Sequence, residues 1–136
     1  MTFTLNNLFT KELPADSNSD NSPRQVYHAC FSYVLPKTPS NPYLIHTATD
    51  VAKQIGLTKD DIEQEDFLAI FSGSKTYPST QPFAMCYAGH QFGNWAGQLG
   101  DGRAINLMEV THKGKNFMLQ LKGAGPTPYS RTADGL

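Results

Sequence analysis

The fold is decided by the stretch QLGDGRAINLMEVTHKGKNFMLQLKGAG, residues 98–125. Two mainly apolar runs within it, residues 103–110 and 116–121, have the composition typical of β-strands. The segment THKGK between them contains the glycine expected of a tight hairpin. We therefore predict two antiparallel strands joined by a short turn.

Glycine is concentrated in this part of the chain, where nine of the eleven glycines lie between Gly89 and Gly135. In the segment GQLGDGR, the absence of a Cβ at Gly97, Gly100 and Gly102 would let backbone amides approach a phosphate closely, and Arg103 would add a fork of donors. A glycine cluster is also consistent with ordinary turns, since the segment matches neither GxGxxG nor GxxxxGK[ST]. Both interpretations stay open at this level.

Alternation along the second predicted strand assigns its side chains to two faces. One face is predicted to carry Phe117, Leu119 and Leu121, and the other face Met118, Gln120 and Lys122. A lysine at the end of an apolar strand is either a snorkelling edge residue or a cation that meets an anion. We expect Lys122 and Gln120 to face the glycine segment.

The order of these features, a glycine loop, a strand, a hairpin, a strand and a lysine, is the order in the N-lobe of a protein kinase. We therefore predict an α+β fold, with an incomplete kinase-like N-lobe made of an antiparallel sheet and flanking helices. Residues 1–24 are predicted to form a partly flexible N-terminal arm, because residues 13–23 are polar and cannot bury apolar area. Residues 25–136 would form the truncated kinase-like part.

Three elements are predicted ahead of the glycine-rich part. The run QVYHACFSYVL, residues 25–35, is predicted to be a strand that ends at a proline-rich connection. A helix capped by Thr49 or Asp50 should end at Gly56, and a helix over residues 61–71 should begin at a Thr58–Asp61 capping box and end at Gly73. The apolar side chains expected to cover the sheet are Val51, Ile55, Ile62, Phe67, Ile70 and Phe71.

Composition restricts the class of partner. Eleven basic and twelve acidic side chains create no field for nucleic acid or an anionic membrane, and the first ten residues resemble neither a signal peptide nor a presequence. The isolated Cys30 and Cys86 fit a reducing compartment, so we predict a cytoplasmic protein. The pairs Cys86–His90 and His28–Cys30 offer too few ligands for a metal site. The aromatic residues Tyr87, Phe92 and Trp95 are expected in the core rather than in a base-stacking platform.

Four motifs, YAGHQFG (87–93), QLGDGRA (98–104), LQLKGAGPTPYSR (119–131) and DG (134–135), closely resemble the selenoprotein O family, SelO. The resemblance is collinear over roughly residues 41–136. It implies a pseudokinase-like fold that transfers AMP from ATP, with Mg²⁺, to hydroxyl groups of protein substrates. The nucleotide-binding residues that it implies are Gly100, Gly102, Arg103, Lys122, Asp134 and Gly135.

Members of that family are several times longer, and their catalytic and metal-binding residues lie downstream of the region matched here. The resemblance therefore assigns no catalytic residue and no metal ligand to this chain, and it implies that the chain alone is inactive. The alternative is a catalytically dead ATP-binding or interaction module of the pseudokinase type.

Overall fold

The structure, a computed structural model, describes residues 1–131 and is built on antiparallel strands. The strands are β1 (Thr4–Leu5), β2 (Phe31–Tyr33), β3 (Phe83–Gln91), β4 (Asn94–Gly100), β5 (Ala104–His112) and β6 (Lys115–Lys122). The helices are α1 (Leu8–Glu12), α2 (Thr49–Gln54), α3 (Lys59–Ile62) and α4 (Glu65–Phe71). The α+β class is confirmed, whereas the likeness to a kinase N-lobe stays a prediction.

The predicted hairpin is confirmed as β5 and β6, which pair antiparallel from Ala104 opposite Lys122 to His112 opposite Lys115. Its two turn residues, Lys113 and Gly114, have φ values of 49° and 75°. Positive φ at both positions is the pattern of a type I′ turn, whose twist matches that of the flanking strands. A register shift between Asn106 and Met108 bends the hairpin near its open end.

The glycine segment is more ordered than the predicted loop. Residues up to Gly100 belong to β4, which pairs with β3 in a second hairpin whose turn is Phe92 and Gly93. The prediction of a loop over Gly97–Arg103 was therefore wrong for its first half, because pairing with β3 satisfies the backbone hydrogen bonds there. Only the short connection between Gly100 and Ala104 leaves the strand geometry.

The N-terminal residues take part in the fold, although they lie in the segment predicted to be an arm. β1 pairs with β5, Phe3 is buried, and its backbone N–H donates to the hydroxyl of Tyr77 over 2.9 Å. The apolar side chain of Phe3 explains this docking, since it adds to the core under the helices. The domain boundary at residue 24 itself stays a prediction.

The polar segment after α1 is organised around a cation. Successive Asx turns run through Asp16, Asn18 and Asp20, and the guanidinium of Arg24 donates to the Asp16 carboxylate over 2.5 Å and to carbonyls of Asn18, Asp20 and Ser22. Arg24 thus holds the segment in one conformation. Of the strand predicted over residues 25–35, only Phe31–Tyr33 forms a strand, β2. Residues 25–30 are irregular.

We expect the Asp16–Arg24 pair to make the free energy of unfolding depend on pH in the acidic range. Burial raises the pKa of Asp16, but hydrogen bonds from Asn18, Arg24 and Ser32 outweigh it and lower the pKa below its usual value. A lowered folded-state pKa contributes stability above pH 4 that is lost as pH falls through the folded pKa. Asp16→Asn should therefore cost about 1 kcal/mol at pH 7 and less at pH 3. Thermal melts at both pH values, with Glu12→Gln as the control, test this; an equal loss at both pH values would contradict it.

The helices confirm the predicted pattern with two differences. The Thr58–Asp61 capping box is present and Gly73 follows α4 with φ +84°. The predicted helix over residues 61–71 is split into α3 and α4, because Gln64 between them has an extended ψ of 144°. α2 begins after Ala48 without a side-chain cap, so the predicted capping by Thr49 or Asp50 was wrong.

The core consists of two clusters of buried apolar residues. The first lies between the helices and one face of the sheet, where Phe67 and Ile70 meet Leu107, Met108 and Val110. Of the predicted covering residues, Val51 is 56% exposed, so its assignment to the core was wrong. The second cluster joins Val34 and Ile105 to Ala124 and Tyr129 beneath the end of β6. None of the helices within residues 1–131 is long and apolar enough to cross a lipid bilayer.

The three aromatic residues expected in the core are exposed instead. Phe92 is fully exposed, Trp95 is 63% exposed and Tyr87 is 50% exposed. Phe92 and Trp95 lie at the turn of the β3–β4 hairpin, where β4 pairs with β3 alone among the described strands. Tyr87 lies nearer the base of the hairpin, opposite Leu99. The prediction failed because aromatic composition indicates a strand without indicating which of its faces is covered.

The exposed side chains of Phe92 and Trp95 should bind a hydrophobic dye, since large exposed apolar patches are unusual on a monomer. The double variant Phe92→Asn, Trp95→Thr should lower the dye fluorescence and leave the melting temperature within about 2 °C of wild type. Asn tolerates the left-handed backbone at position 92 and Thr suits a strand. Unchanged dye fluorescence in this variant would show that the dye binds elsewhere.

Candidate functional site

A cavity of about 570 Å³ lies where β4, β5 and β6 meet the segment after residue 126. Its size falls within the range usual for small-molecule sites. Four of the six residues predicted to bind nucleotide, Gly100, Gly102, Arg103 and Lys122, line this cavity. Asp134 and Gly135 lie outside the described residues. The structure therefore brings together residues that the sequence separates by about twenty positions.

Gly100 is required by the backbone at the floor of this cavity. Its φ is +151°, and a Cβ there would lie 2.6 Å from Cγ of Tyr129 and 2.7 Å from the carbonyl oxygen of Met85. Neither neighbour is free to move, since Met85 belongs to β3 and Tyr129 is buried. The glycine thus allows β4 to turn tightly against β3 before the chain enters β5.

The backbone amides of this turn are already used. Asp101 N–H donates to the Met85 carbonyl over 2.9 Å, and Gly102 N–H donates to the Gly100 carbonyl over 2.9 Å. The expected cradle of amides for a phosphate is therefore not formed by these two groups, because each already has an acceptor. The glycines act here through their shape, and side chains must supply the positive charge.

The segment GPTPYS, residues 125–130, fastens the same turn from the other side. Thr127 Oγ1 donates to the Asp101 carbonyl over 2.8 Å, and Ser130 Oγ donates to the Gly102 carbonyl over 2.6 Å. The backbone N–H of Gly123 donates to the Arg103 carbonyl over 2.7 Å. From the sequence alone, no role was assigned to the hydroxyl groups of this segment. The sequence feature that could have indicated these contacts is a pair of small hydroxyl residues, Thr127 between two prolines and Ser130 after them.

The positive side chains of the cavity come from separate elements. Lys122 ends β6 opposite Ala104, Arg103 precedes β5, and Arg131 donates to Oε1 of Gln91 over 3.1 Å. Gln120 and Lys122 both line the cavity, which confirms the predicted face of β6. Within residues 1–131, none of the ion pairs includes Lys122. Lys122 therefore lines the cavity without a carboxylate partner among the described residues.

The acidic residue of the turn is directed into the protein. Asp101 Oδ2 accepts hydrogen bonds from Met85 N–H over 3.0 Å and from Asn106 Nδ2 over 2.9 Å. Asn106, which is fully buried, accepts from Gln120 Nε2 over 3.0 Å. Three polar residues thus connect the turn to the cavity face of β6. No motif in the sequence indicated this network.

Neither Tyr129, which lines the cavity, nor Cys86, which packs beside it, is activated for nucleophilic attack. Burial raises the pKa of Tyr129 to about 12, and its hydroxyl lies 2.7 Å from Oγ of Ser32. Burial also raises the pKa of the Cys86 thiol. A neutral phenol and a neutral thiol are poor nucleophiles. These groups pack beneath the turn, and the charged side chains that line the cavity are mainly basic.

Residues 1–131 contain no group of three His, Cys, Asp or Glu side chains that could hold a metal ion. The described part of the chain therefore offers a cationic cavity without a metal centre.

Comparison with known proteins identifies the motifs. Residues 18–136 match the family model described as "Protein adenylyltransferase SelO", which confirms the resemblance inferred from the sequence. The chain is 62% identical over 132 residues to "Protein nucleotidyltransferase YdiU" of Flavobacterium johnsoniae and 53% identical over 139 residues to the protein of that name in Rhodopirellula baltica. These matches cover 97% and 100% of this chain. The chain spans about a quarter of the length of these curated relatives, 25% and 26% respectively.

Proposed function

The chain belongs to the SelO family, and from that premise we propose that it is the nucleotide-binding portion of a protein adenylyltransferase. The reaction is the transfer of AMP from ATP to Ser, Thr or Tyr hydroxyl groups of protein substrates, with release of pyrophosphate. The observation that carries the proposal is the meeting of Gly100, Gly102, Arg103 and Lys122 around one cavity. These residues come from two motifs that the family resemblance had assigned to nucleotide binding.

The charges of the cavity support ATP as its ligand. Arg103, Lys122 and Arg131 line it, while the carboxylate of Asp101 is turned toward Met85 N–H and Asn106. Phosphate oxygens form charge-assisted hydrogen bonds with guanidinium and ammonium groups. A triphosphate would therefore be favoured over a neutral ligand of similar size. Bound ATP supplies the AMP group, and the residues of this chain hold and orient its phosphates.

Magnesium belongs to the proposal as a partner of the triphosphate. The described residues contain no group of three His, Cys, Asp or Glu side chains that could hold it, and the family resemblance implies that its protein ligands lie downstream of the region matched here. Positioning and metal ions supply most of the catalysis in phosphate transfer. We therefore expect the chain alone to bind ATP without transferring AMP.

The test uses a full-length protein that contains this chain, with ATP labelled on either the α- or the γ-phosphate. Label on the α-phosphate should enter protein, and label on the γ-phosphate should not. Transfer of the γ-label alone would show a conventional kinase. ATP binding with neither label transferred would show the catalytically dead module instead. The chain without the remaining three quarters of its relatives' length serves as the control and should transfer neither label.

A further inference from the structure

The polar network beneath the cavity fixes the orientation of two amide groups. Asn106 Nδ2 lies 3.2 Å from the Phe83 carbonyl oxygen and 2.9 Å from Asp101 Oδ2. A carbonyl and a carboxylate accept hydrogen bonds, so the nitrogen of Asn106 must face both of them. Its oxygen, Oδ1, is therefore the atom that faces Gln120. Burial makes the reverse orientation costly, because it would leave Asn106 without donors for these acceptors.

The orientation of Asn106 determines that of Gln120. An oxygen at Oδ1 requires a donor, and Gln120 supplies it through Nε2 over 3.0 Å. The other atom of the Gln120 amide, the acceptor Oε1, is thus turned away from Asn106. Gln120 is exposed and lines the cavity, and within residues 1–131 no donor is hydrogen-bonded to its Oε1. The network consequently presents a hydrogen-bond acceptor in a cavity whose charges favour anions.

The position of this acceptor suggests what it binds. Gln120 and Lys122 lie two residues apart on one face of β6, which separates them by about 7 Å along the strand. An acceptor does not bind phosphate oxygens, which are acceptors themselves. When Lys122 binds the phosphates, Oε1 of Gln120 is within reach of ligand groups that lie a few bonds from those phosphates. In a nucleotide, the donors there are the hydroxyl groups of the ribose and, farther on, the exocyclic amine of the base.

We propose that Gln120 is a specificity-determining residue that accepts a hydrogen bond from the nucleoside part of the ligand, and that Asp101 and Asn106 are positioning residues for its amide. This inference rests on the proposed function, which supplies the nucleotide. It adds the recognition of a donor group, and therefore a preference among nucleotides. A cavity that contacted only the phosphates would bind all nucleoside triphosphates with the same affinity.

The experiment measures calorimetrically the affinity of the chain for ATP and three analogues. These are 2′-deoxy-ATP, 3′-deoxy-ATP and purine riboside triphosphate, which lacks the 6-amino group. Wild type should bind ATP about fivefold to tenfold more tightly than the analogue that lacks the recognised donor, since one hydrogen bond is removed. The analogue that binds more weakly than ATP identifies the donor as a ribose hydroxyl or the amine of the base. Gln120→Ala should bind ATP and that analogue within about twofold of each other.

Two further variants separate recognition from folding. Asn106→Leu should also reduce the preference, because it releases the Gln120 amide while leaving Gln120 in place. Asn116→Ala, at the far end of β6 and exposed, should retain it. If Asn106→Leu does not fold, Gln120→Ala decides alone, since Gln120 is on the surface. Equal affinity of wild type for all four triphosphates, or an unchanged preference in Gln120→Ala, would overturn the inference while leaving ATP binding intact. No binding of any triphosphate would overturn the proposed function and this inference together.

Discussion

Lys122→Ala is expected to lower AMP transfer by a full-length protein that contains this chain by roughly thirtyfold or more, or about 2 kcal/mol of transition-state stabilisation. Lys122 is exposed at the end of β6, lines the cavity and forms no ion pair with a carboxylate within residues 1–131. Its removal would leave phosphate charge without its compensating cation. The measurement is incorporation of α-labelled AMP into protein under single-turnover conditions.

Two further variants make this result specific. Lys122→Arg should not restore transfer, because a planar guanidinium places its charge differently from a compact ammonium. Lys115→Ala removes the same side chain from the other end of β6, beside the hairpin turn, and should transfer AMP at the wild-type rate. Transfer that is unaffected by Lys122→Ala would leave the family assignment intact and would remove Lys122 from the site.

The parts of the site that could be predicted from the sequence follow from local rules. The β5–β6 hairpin was predictable because its turn contains Gly114 and its strands have suitable composition. The placement of Gln120 and Lys122 on the cavity face followed from the two-residue period of a strand. The Thr58–Asp61 capping box is likewise contained within four residues. In each case the deciding contacts are close in sequence.

The parts that could not be predicted depend on contacts between distant segments. Asn106 pairs with both Phe83 and Gln120, and the register shift beside it determines which side chains meet beneath the cavity. The amide of Asp101 is used by Met85 because β3 lies against the turn, which local sequence does not reveal. The exposure of Phe92 has the same origin, since it depends on whether another segment packs over the hairpin turn, and none of the described segments does. Local patterns predict strands and turns, whereas these features require the packing between them.

Gly100→Ala is expected to be among the most damaging single substitutions in the site. The added Cβ would lie 2.7 Å from the Met85 carbonyl oxygen and 2.6 Å from Cγ of Tyr129, at a φ of +151° that residues with a Cβ rarely adopt. Relief of the clash would require β4 to move away from β3, which would break the hydrogen bond between Asp101 N–H and the Met85 carbonyl. Strain and the lost contact together should cost about 2–4 kcal/mol, and the melting temperature should fall by on the order of 10 °C.

Gly97→Ala is the matched control, because Gly97 also has a positive φ, +69°, but has open space where the Cβ would lie. It should cost only about 1 kcal/mol, the usual cost of a left-handed alanine. Thermal melts compare stability, and ATP affinity measured below both melting temperatures compares the sites. In the wild-type protein this turn holds Arg103 at the cavity. Displacement of the turn by Gly100→Ala should therefore also weaken ATP binding by about tenfold, whereas Gly97→Ala should not. Equal losses in the two variants would mean that backbone conformation alone, and not the contact with β3 and Tyr129, explains the glycine at position 100.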